Sequence, residues 1–599
     1  MTDTIPRCVF ASLPRTTRGV PIVLGGDPKG KNFLYTNNNS VFIRDISDPA
    51  VADIYTQHSL NAISAKYSPS GFYICSGDAA GKVRIWDTVN REHILKAEYQ
   101  PLGGCVKDIA WSGDSTKIAV CGEGREKYAH VFNMDSGTSV GELSGVGKCC
   151  LTIAFKEQRP FKIAIGCEDK SAAFYEGPPF KFKTSFKDHT NFVNSVRYAP
   201  DGSVFITGGA DCKAFVYDGK TGEMIGELGM PAHKGGIYGM CFSPDSSEVL
   251  TVSADKTAKI WNVASRELVV SFEVGKTIDE MLVGCLWQGD NIMAVALSGY
   301  IYYFNKNDPS TPLKVTKGHN KPVTAMAVSE DCSTIYTGDQ SARVVLWNAA
   351  SGENDVFNGK GHSNQIQDMV VADGNLISVS MDDTIRFTDL SQNQFGDNSI
   401  KLDSMPRAIA ASGSGLVAVA CINHIIVFKN GTKIISQGVS FEPVSVDVLK
   451  GGSMIAVGAQ KGNKVHLYDV SSGGLSEVHV LDNTGVASDV QFSPDGQYIA
   501  TGGADKYVRL FSMANYENLI NFPAHTAKVT CLAWSPDSSK FATGSIDTNI
   551  VIWKPSEGMS PKIIKGAHQM SVVNKLAWLN DKVLVSAGQD SNVKQWDNA

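Results

Sequence analysis

His525-Thr526-Ala527-Lys528-Val529-Thr530-Cys531-Leu532-Ala533-Trp534-Ser535-Pro536-Asp537-Ser538 continues as Ser539-Lys540-Phe541-Ala542-Thr543-Gly544-Ser545-Ile546-Asp547-Thr548-Asn549-Ile550-Val551-Ile552-Trp553, and this stretch decides the fold. A loop carrying Ala-His leads into one β-branched and aromatic run. A Ser-Pro-Asp-Ser turn follows, then two further runs separated by a short turn containing Asp547. Proline at the second turn position fixes the φ that a type I turn needs, and the same device recurs at Ser243-Pro244-Asp245-Ser246 and Ser493-Pro494-Asp495-Gly496. Short β-prone runs bounded by such turns are hairpin signals and not helix signals.

Working outward, the run ending at Trp553-Lys554 is one of fourteen that close on a large residue followed by a polar one. The others end at Arg44-Asp45, Trp86-Asp87, Phe132-Asn133, Phe174-Tyr175, Tyr217-Asp218, Trp261-Asn262, Phe304-Asn305, Trp347-Asn348, Phe387-Thr388, Phe428-Lys429, Tyr468-Asp469, Phe511-Ser512 and Trp596-Asp597. Successive marks lie 40 to 46 residues apart. That period belongs to WD-repeat propeller blades. Fourteen four-stranded blades exceed the four to eight that usually close one ring, so the expected fold is all-β: two seven-bladed WD-repeat β-propellers in tandem.

Two repeats hold a full set of locking residues: His233, Ser253, Asp255 and Trp261, and His525, Ser545, Asp547 and Trp553. The spacing predicts hydrogen bonds running from the indole through Ser and His to the carboxylate, a buried network that stabilises only when every member is satisfied. A nucleophilic triad would use the same residue types, but these sit at blade-internal positions together with a Trp, so the expectation is scaffold and not hydrolysis.

Lys plus Arg number 55 against 61 Asp plus Glu, a formal net charge of −6, and no basic block is present. Nucleic acid and anionic membrane are therefore poor partners. The opening residues lack the basic and apolar regions of a signal peptide, and no apolar run reaches membrane-spanning length, so a cytoplasmic monomer is expected. The 13 cysteines are scattered without a Cys-x-x-Cys pair, which points to neither zinc nor disulfides. Two sequons, at Asn38 and Asn430, carry no weight in a reducing compartment.

The last repeat runs out at Trp596-Asp597-Asn598-Ala599, before a fourth strand. An unpaired edge is a liability that closure removes. Residues 5–13, with strand character at Arg7-Cys8-Val9-Phe10-Ala11-Ser12-Leu13, are expected to complete it. The implied organisation is an N-terminal strand segment at 1–18, a first propeller at 19–317 and a second at 318–599.

Gly25-Gly26-Asp27-Pro28-Lys29-Gly30-Lys31-Asn32 nearly matches a phosphate-binding loop, but Asn32 replaces the magnesium-holding hydroxyl and Phe33-Leu34-Tyr35-Thr36 reads as strand where the cradle needs a helix N-terminus. A turn is expected, with no cofactor or metal and no catalytic residue. Three stretches break the rhythm. Gly122-Glu123-Gly124-Arg125-Glu126-Lys127 lengthens a tight turn into a charged tip, and Glu168-Asp169 forms the equivalent turn of the next repeat. Glu176-Gly177-Pro178-Pro179-Phe180-Lys181-Phe182-Lys183 alternates aromatic and basic residues behind two prolines, which would place both rings on one strand face. Loops that depart from a rigid repeat are where contacts are expected.

These idiosyncrasies, with Ser12-Leu13-Pro14-Arg15-Thr16-Thr17-Arg18-Gly19, Ser380-Met381-Asp382-Asp383-Thr384 and Ser586-Ala587-Gly588-Gln589-Asp590-Ser591-Asn592, resemble the actin-interacting protein 1 family over essentially the whole chain. The resemblance implies a non-enzymatic protein of the actin cytoskeleton whose partners are actin filaments and ADF/cofilin. It would promote disassembly of cofilin-decorated filaments, with associated barbed-end capping. It also implies contacts at Glu126, at Glu168 or Asp169, and at Lys181 and Phe182, with Glu123, Arg125, Lys127 and Phe180 as their neighbours; Cys167 stands where the family often has Ser. Composition and periodicity alone equally fit a generic WD-repeat scaffold or adaptor in a signalling or ubiquitin-ligase complex.

Overall fold

A computed structural model describes residues 5–141, 143–396, 399–471, 474–557 and 561–597. Residues 1–4 of the N-terminal segment, and Asn598 and Ala599 at the end of the last repeat, lie outside them. The described residues form fourteen antiparallel sheets of four strands, and helix is confined to two 3-10 turns, Ile278–Glu280 and Pro555–Glu557. No helix among them is long and apolar enough to cross a membrane.

Each sheet is one blade, built as the turns dictate. In the Ser243-Pro244-Asp245 turn, the Asp245 carboxylate accepts the Ser243 hydroxyl at 2.6 Å and the Ser247 amide at 3.1 Å, and Ser246 takes φ +65°. The chain is thereby turned into the next strand. The near-match to a phosphate loop is such a turn: Gly25–Gly26 and Asn32–Asn37 are paired strands, and Asp27 accepts the Lys29 amide at 2.9 Å.

Two rings result. In the first, the innermost strands pack in chain order from Ala62–Tyr67 to Leu282–Gln288, and Gly25–Gly26 packs against both of these. Gln288 fastens that junction, accepting the Asp27 amide at 3.0 Å and donating to the Asn32 carbonyl at 2.9 Å. In the second, innermost strands follow one another from Val323–Val328 to Val573–Asn580, and these two meet. The outermost strand of that last blade is Cys8–Phe10, antiparallel to Val593–Asp597 with Cys8 opposite Gln595 and Phe10 opposite Val593. Phe10 is fully buried and stacks on Trp347 at 5.3 Å. By compactness, one unit comprises Leu13–Ser47 and Ala52–Asn320; the other comprises the described residues through Ser12, Asp48–Val51 and those from Lys321 onward.

Strand register corrects two of the fourteen marks by one residue. The mark is the residue opposite the second position of the preceding strand, as Trp261 is opposite Val249, or the first position of the shorter strand Phe541–Ser545, where Trp553 is opposite Phe541. By that criterion the fourth blade is marked by Tyr175-Glu176, with Tyr175 opposite Ile163, and the ninth by Thr388-Asp389, with Thr388 opposite Leu376. Thr388 is buried at a position that is usually aromatic, which hid it from a search for rings.

The lock also differs from expectation. Trp261 donates to Thr251 Oγ1 at 2.9 Å, His233 Nε2 meets the same oxygen at 2.7 Å, and His233 Nδ1 lies 3.1 Å from Asp255. Thr543 holds the equivalent place between Trp553 and His525. Ser253 and Ser545 are not in the relay. Each instead accepts the amide of the turn Asp two residues on and donates to a backbone carbonyl. Geometry gives the reason: Trp261 pairs with Val249, so Thr251 is its diagonal neighbour on the same face, within reach of a long side chain, whereas Ser253 lies a further two residues away. The relay recurs in other blades, among them those with Ser76 between Trp86 and His58 and with Ser586 between Trp596 and His568. Burial lowers the pKa of His233 and His568, so the imidazoles are neutral. Nδ1–H then donates to the carboxylate, and Nε2 accepts the hydroxyl proton.

Candidate functional site

The charged tip lies between strands Lys117–Gly122 and Ala129–Asn133 of the third blade, with Arg125, Glu126 and Lys127 all exposed. Glu123 begins it, its amide bonded to the Cys105 carbonyl and its carboxylate 2.8 Å from Lys107 Nζ. Burial opposes the Lys107 charge, but the Glu123 carboxylate outweighs it and holds the ammonium pKa above its ordinary value. One blade on, the Glu168 amide bonds the Cys149 carbonyl in the same way. Glu168 and Lys107 line the cavity inside the first ring together with Arg197 and Asp108. Glu123 and Glu168 are thus equivalent positions of neighbouring blades.

Asp169 is a different kind of residue. It occupies the position of the locking carboxylates Asp211 and Asp255, and like the residues after them Lys170 has positive φ. In the locked blades, the amide just after the His donates to this carboxylate, as Thr190 does to Asp211 and Lys234 to Asp255, both at 2.8 Å. In the fourth blade the corresponding amide is Gly147, 3.4 Å from Asp169 Oδ2, and the residue before it is Val146. The lock is therefore absent: Val replaces His and Tyr175 replaces Trp. Asp169 Oδ1 takes the Ser171 amide at 3.0 Å and hydroxyl at 2.5 Å. Tyr175 turns its hydroxyl to the Ser144 carbonyl at 2.7 Å.

The aromatic pair behind the prolines is split. Phe180 is only 1% exposed, its ring edge-on to Phe155 at 5.4 Å and its amide bonded to the Val140 carbonyl. Phe182 is 42% exposed. Both rings lie on the Tyr175 side, but only Phe182 is presented to solvent: Phe180 precedes the strand Lys181–Phe186 and is drawn into the core between blades by its pairing with Gly141. Phe182 stands opposite Tyr175 across the sheet, ring centroids 5.9 Å apart. Lys181 is exposed beside it, while Lys183 and Lys162 both bind Glu176.

What draws these elements together is a segment the sequence reading passed over, Leu143-Ser144-Gly145-Val146-Gly147-Lys148, running into the fourth blade. Gly145 has φ +88°, and a Cβ there would come within 2.8 Å of the Phe182 ring. Across from this strap, Glu126, Lys127, Tyr128 and His130 form the other wall of a groove. The tip, Asp169 and Phe182 therefore meet at one strap, whereas Glu168 lines the inner cavity and Glu123 is paired with Lys107 at its edge. Two glycines spaced by one residue within a loop were the only sequence signal for it. No group of His, Cys, Asp and Glu among the described residues could hold a metal ion.

A model of the WD domain, G-beta repeat, matches residues 51–87, 180–218, 223–262, 310–348, 476–512, 516–554 and 560–597. The chain is 48% identical over 591 residues to Actin-interacting protein 1 of Drosophila melanogaster, spanning 98% of this chain and 97% of that one. It is 46% identical over 596 residues to WD repeat-containing protein 1 of Gallus gallus, and 47% identical over 596 residues to WD repeat-containing protein 1 of Rattus norvegicus, in both cases over 98% of each chain.

Proposed function

Since the chain belongs to the family of Actin-interacting protein 1 and WD repeat-containing protein 1, we propose that it binds actin filaments decorated with ADF/cofilin and promotes their disassembly without catalysis, with associated capping of barbed ends. The observation that carries this reading is the exposed Phe182 beside Lys181, the charged tip and Asp169, gathered at the fourth blade, where the lock is missing. A half-exposed aromatic ring on a rigid sheet, ringed by charge of both signs, suits a protein partner: it offers a buried anchor and a polar rim at little entropic cost.

Disassembly by binding needs only a preference. A ligand shifts an equilibrium by its differential affinity for the two states, so tenfold tighter binding to the cofilin-altered filament supplies about 1.4 kcal/mol per bound molecule toward breakage. The test is co-sedimentation of the full chain with bare and with cofilin-decorated filaments, together with the double variant Glu126→Ala, Phe182→Ala. The expected result is cofilin-dependent pelleting and disassembly, both weakened in the variant. Equal pelleting on bare and decorated filaments would remove the proposal, and an undiminished double variant would move the site elsewhere.

A further inference from the structure

Asp169, Tyr175 and Phe182 all converge on the strap at residues 143–148, and they do so from one blade. Tyr175 Oη holds the Ser144 carbonyl at 2.7 Å, the Phe182 ring covers Gly145, and the Asp169 carboxylate takes the Gly147 amide at 3.4 Å. In the locked blades this work falls to a His and a Trp, which bind each other through a hydroxyl and fasten the loop from within. Here the fourth blade offers no imidazole at that position, and the strap is held by these edge contacts and by Leu143 and Val146, which pack into the core. The facing wall is the tip of the preceding blade, through Lys127 and Tyr128.

We infer that the strap, with the tip facing it, is the surface that touches the filament, and that Tyr175, Asp169 and the inner face of Phe182 are positioning residues that set its conformation. The inference rests on the filament-binding reading above and deepens it. It assigns Asp169 a role by geometry: both its oxygens are engaged by backbone or hydroxyl donors of its own blade. The same holds for half of Phe182, which packs on Tyr175 and Gly145. Lys127, Tyr128 and Val146 remain as the groups that form the groove. Fastening is inexpensive for binding because a strap already held in its bound form loses little freedom when the partner arrives.

Tyr175→Phe is the discriminating variant, since Tyr175 is fully buried and no partner can reach it. Its control is Tyr217→Phe, which removes the equivalent hydroxyl of the next blade, bonded at 2.9 Å to Asp188. Losing one such hydrogen bond is worth about 2- to 10-fold in an equilibrium constant. Tyr175→Phe is therefore expected to speed amide exchange at residues 144–148 and to weaken binding to cofilin-decorated filaments by about 2- to 10-fold, while Tyr217→Phe changes neither. Should Tyr175→Phe fail to fold, Gly145→Ala displaces the strap from the Phe182 ring and is expected to weaken binding likewise. Faster strap exchange with unchanged affinity would overturn the inference and leave the filament reading standing, as would unchanged exchange. Wild-type protein that binds bare and decorated filaments alike would instead bring down the filament reading itself.

Discussion

Thr543→Val separates the observed lock from the one that the spacing of residues suggests. Valine matches threonine in shape, so packing is kept and only the hydroxyl is lost. Thr543 Oγ1 accepts the Trp553 indole N–H at 3.2 Å and meets His525 Nε2 at 2.9 Å. Trp553 is fully buried and His525 is 4% exposed, so water cannot replace the missing oxygen. Each of the two stranded buried groups costs about 1–3 kcal/mol, which puts the variant roughly 2–6 kcal/mol below wild type. For a ring of this size that is a fall in Tm of about 3–10 °C. Ser545 is itself fully buried, and Ser545→Ala takes its hydroxyl from the Lys528 carbonyl and strands the Asp547 amide; with one buried donor stranded in place of two groups, it should cost about 1–3 kcal/mol. Calorimetry of the two variants decides the matter. A Ser545→Ala loss equal to or larger than that of Thr543→Val would refute the relay through threonine.

Phe10→Ala empties a fully buried site stacked on Trp347; it should cost about 3–5 kcal/mol and raise amide exchange in Val593–Asp597, and unchanged exchange there would count against the closing role of that strand. Gln288→Ala removes two of the bonds joining the ends of the first ring and should cost about 1–3 kcal/mol in urea unfolding, a loss below 0.5 kcal/mol being inconsistent with a fastening role. Asp447 and Asp489 stand on innermost strands of the second ring, where burial pushes their pKa values up to about 7 and about 6 against only backbone donors and, for Asp489, the Lys575 charge. A folded pKa above the unfolded one gives stability that is complete at low pH and lost as pH rises toward 7. Asp447→Asn should therefore match wild type near pH 4 and gain on it between pH 5 and 7 by at most about 1.4 kcal/mol per pH unit, and a parallel pair of Tm–pH curves would argue against it.

Period, turn chemistry and the missing last strand were legible because each is a local rule. A turn needs its proline and aspartate whatever surrounds it, and the repeat length is set by four strands and their connections. What was not legible depends on register. The hydroxyl two residues before Ser253 and the hydroxyl of Ser253 itself look alike in a sequence, and only the pairing of Val249 with Trp261 shows which one the indole can reach. Thr388 and Tyr175 were missed as marks for a related reason: the position is defined by its partner across the sheet and only by habit by an aromatic ring. At the candidate site, the charged tip and Phe182 stood out as departures from a repeat. The burial of Phe180 did not, because the bridge to Gly141 that pulls it inward joins segments with no local signal between them.

The absence of the lock in the fourth blade bears on why a binding surface would arise there. In a locked blade the His, its following amide and the turn carboxylate consume one another, as His189, Thr190 and Asp211 do. A change to any one of them strands a buried group, so that loop has little freedom to adopt a new surface. Replacing His by Val146 and Trp by Tyr175 removes the buried polar demand altogether, since valine has no hydrogen bond to lose and the tyrosine hydroxyl is met by the Ser144 carbonyl. The strap can then change sequence at the exposed Lys148 and Ser144 with small consequences for the fold, held in place by backbone contacts that do not depend on those side chains. A blade built this way gives up the network that rigidifies the locked blades, such as the one that follows it, and gains a loop whose composition is free to follow a partner. The seventeen-residue reach from Cys150 to Cys167 shows that this freedom stops at the sheet: these two face each other across strands with sulfurs 3.1 Å apart, fully buried, and so the strap ends where the core begins.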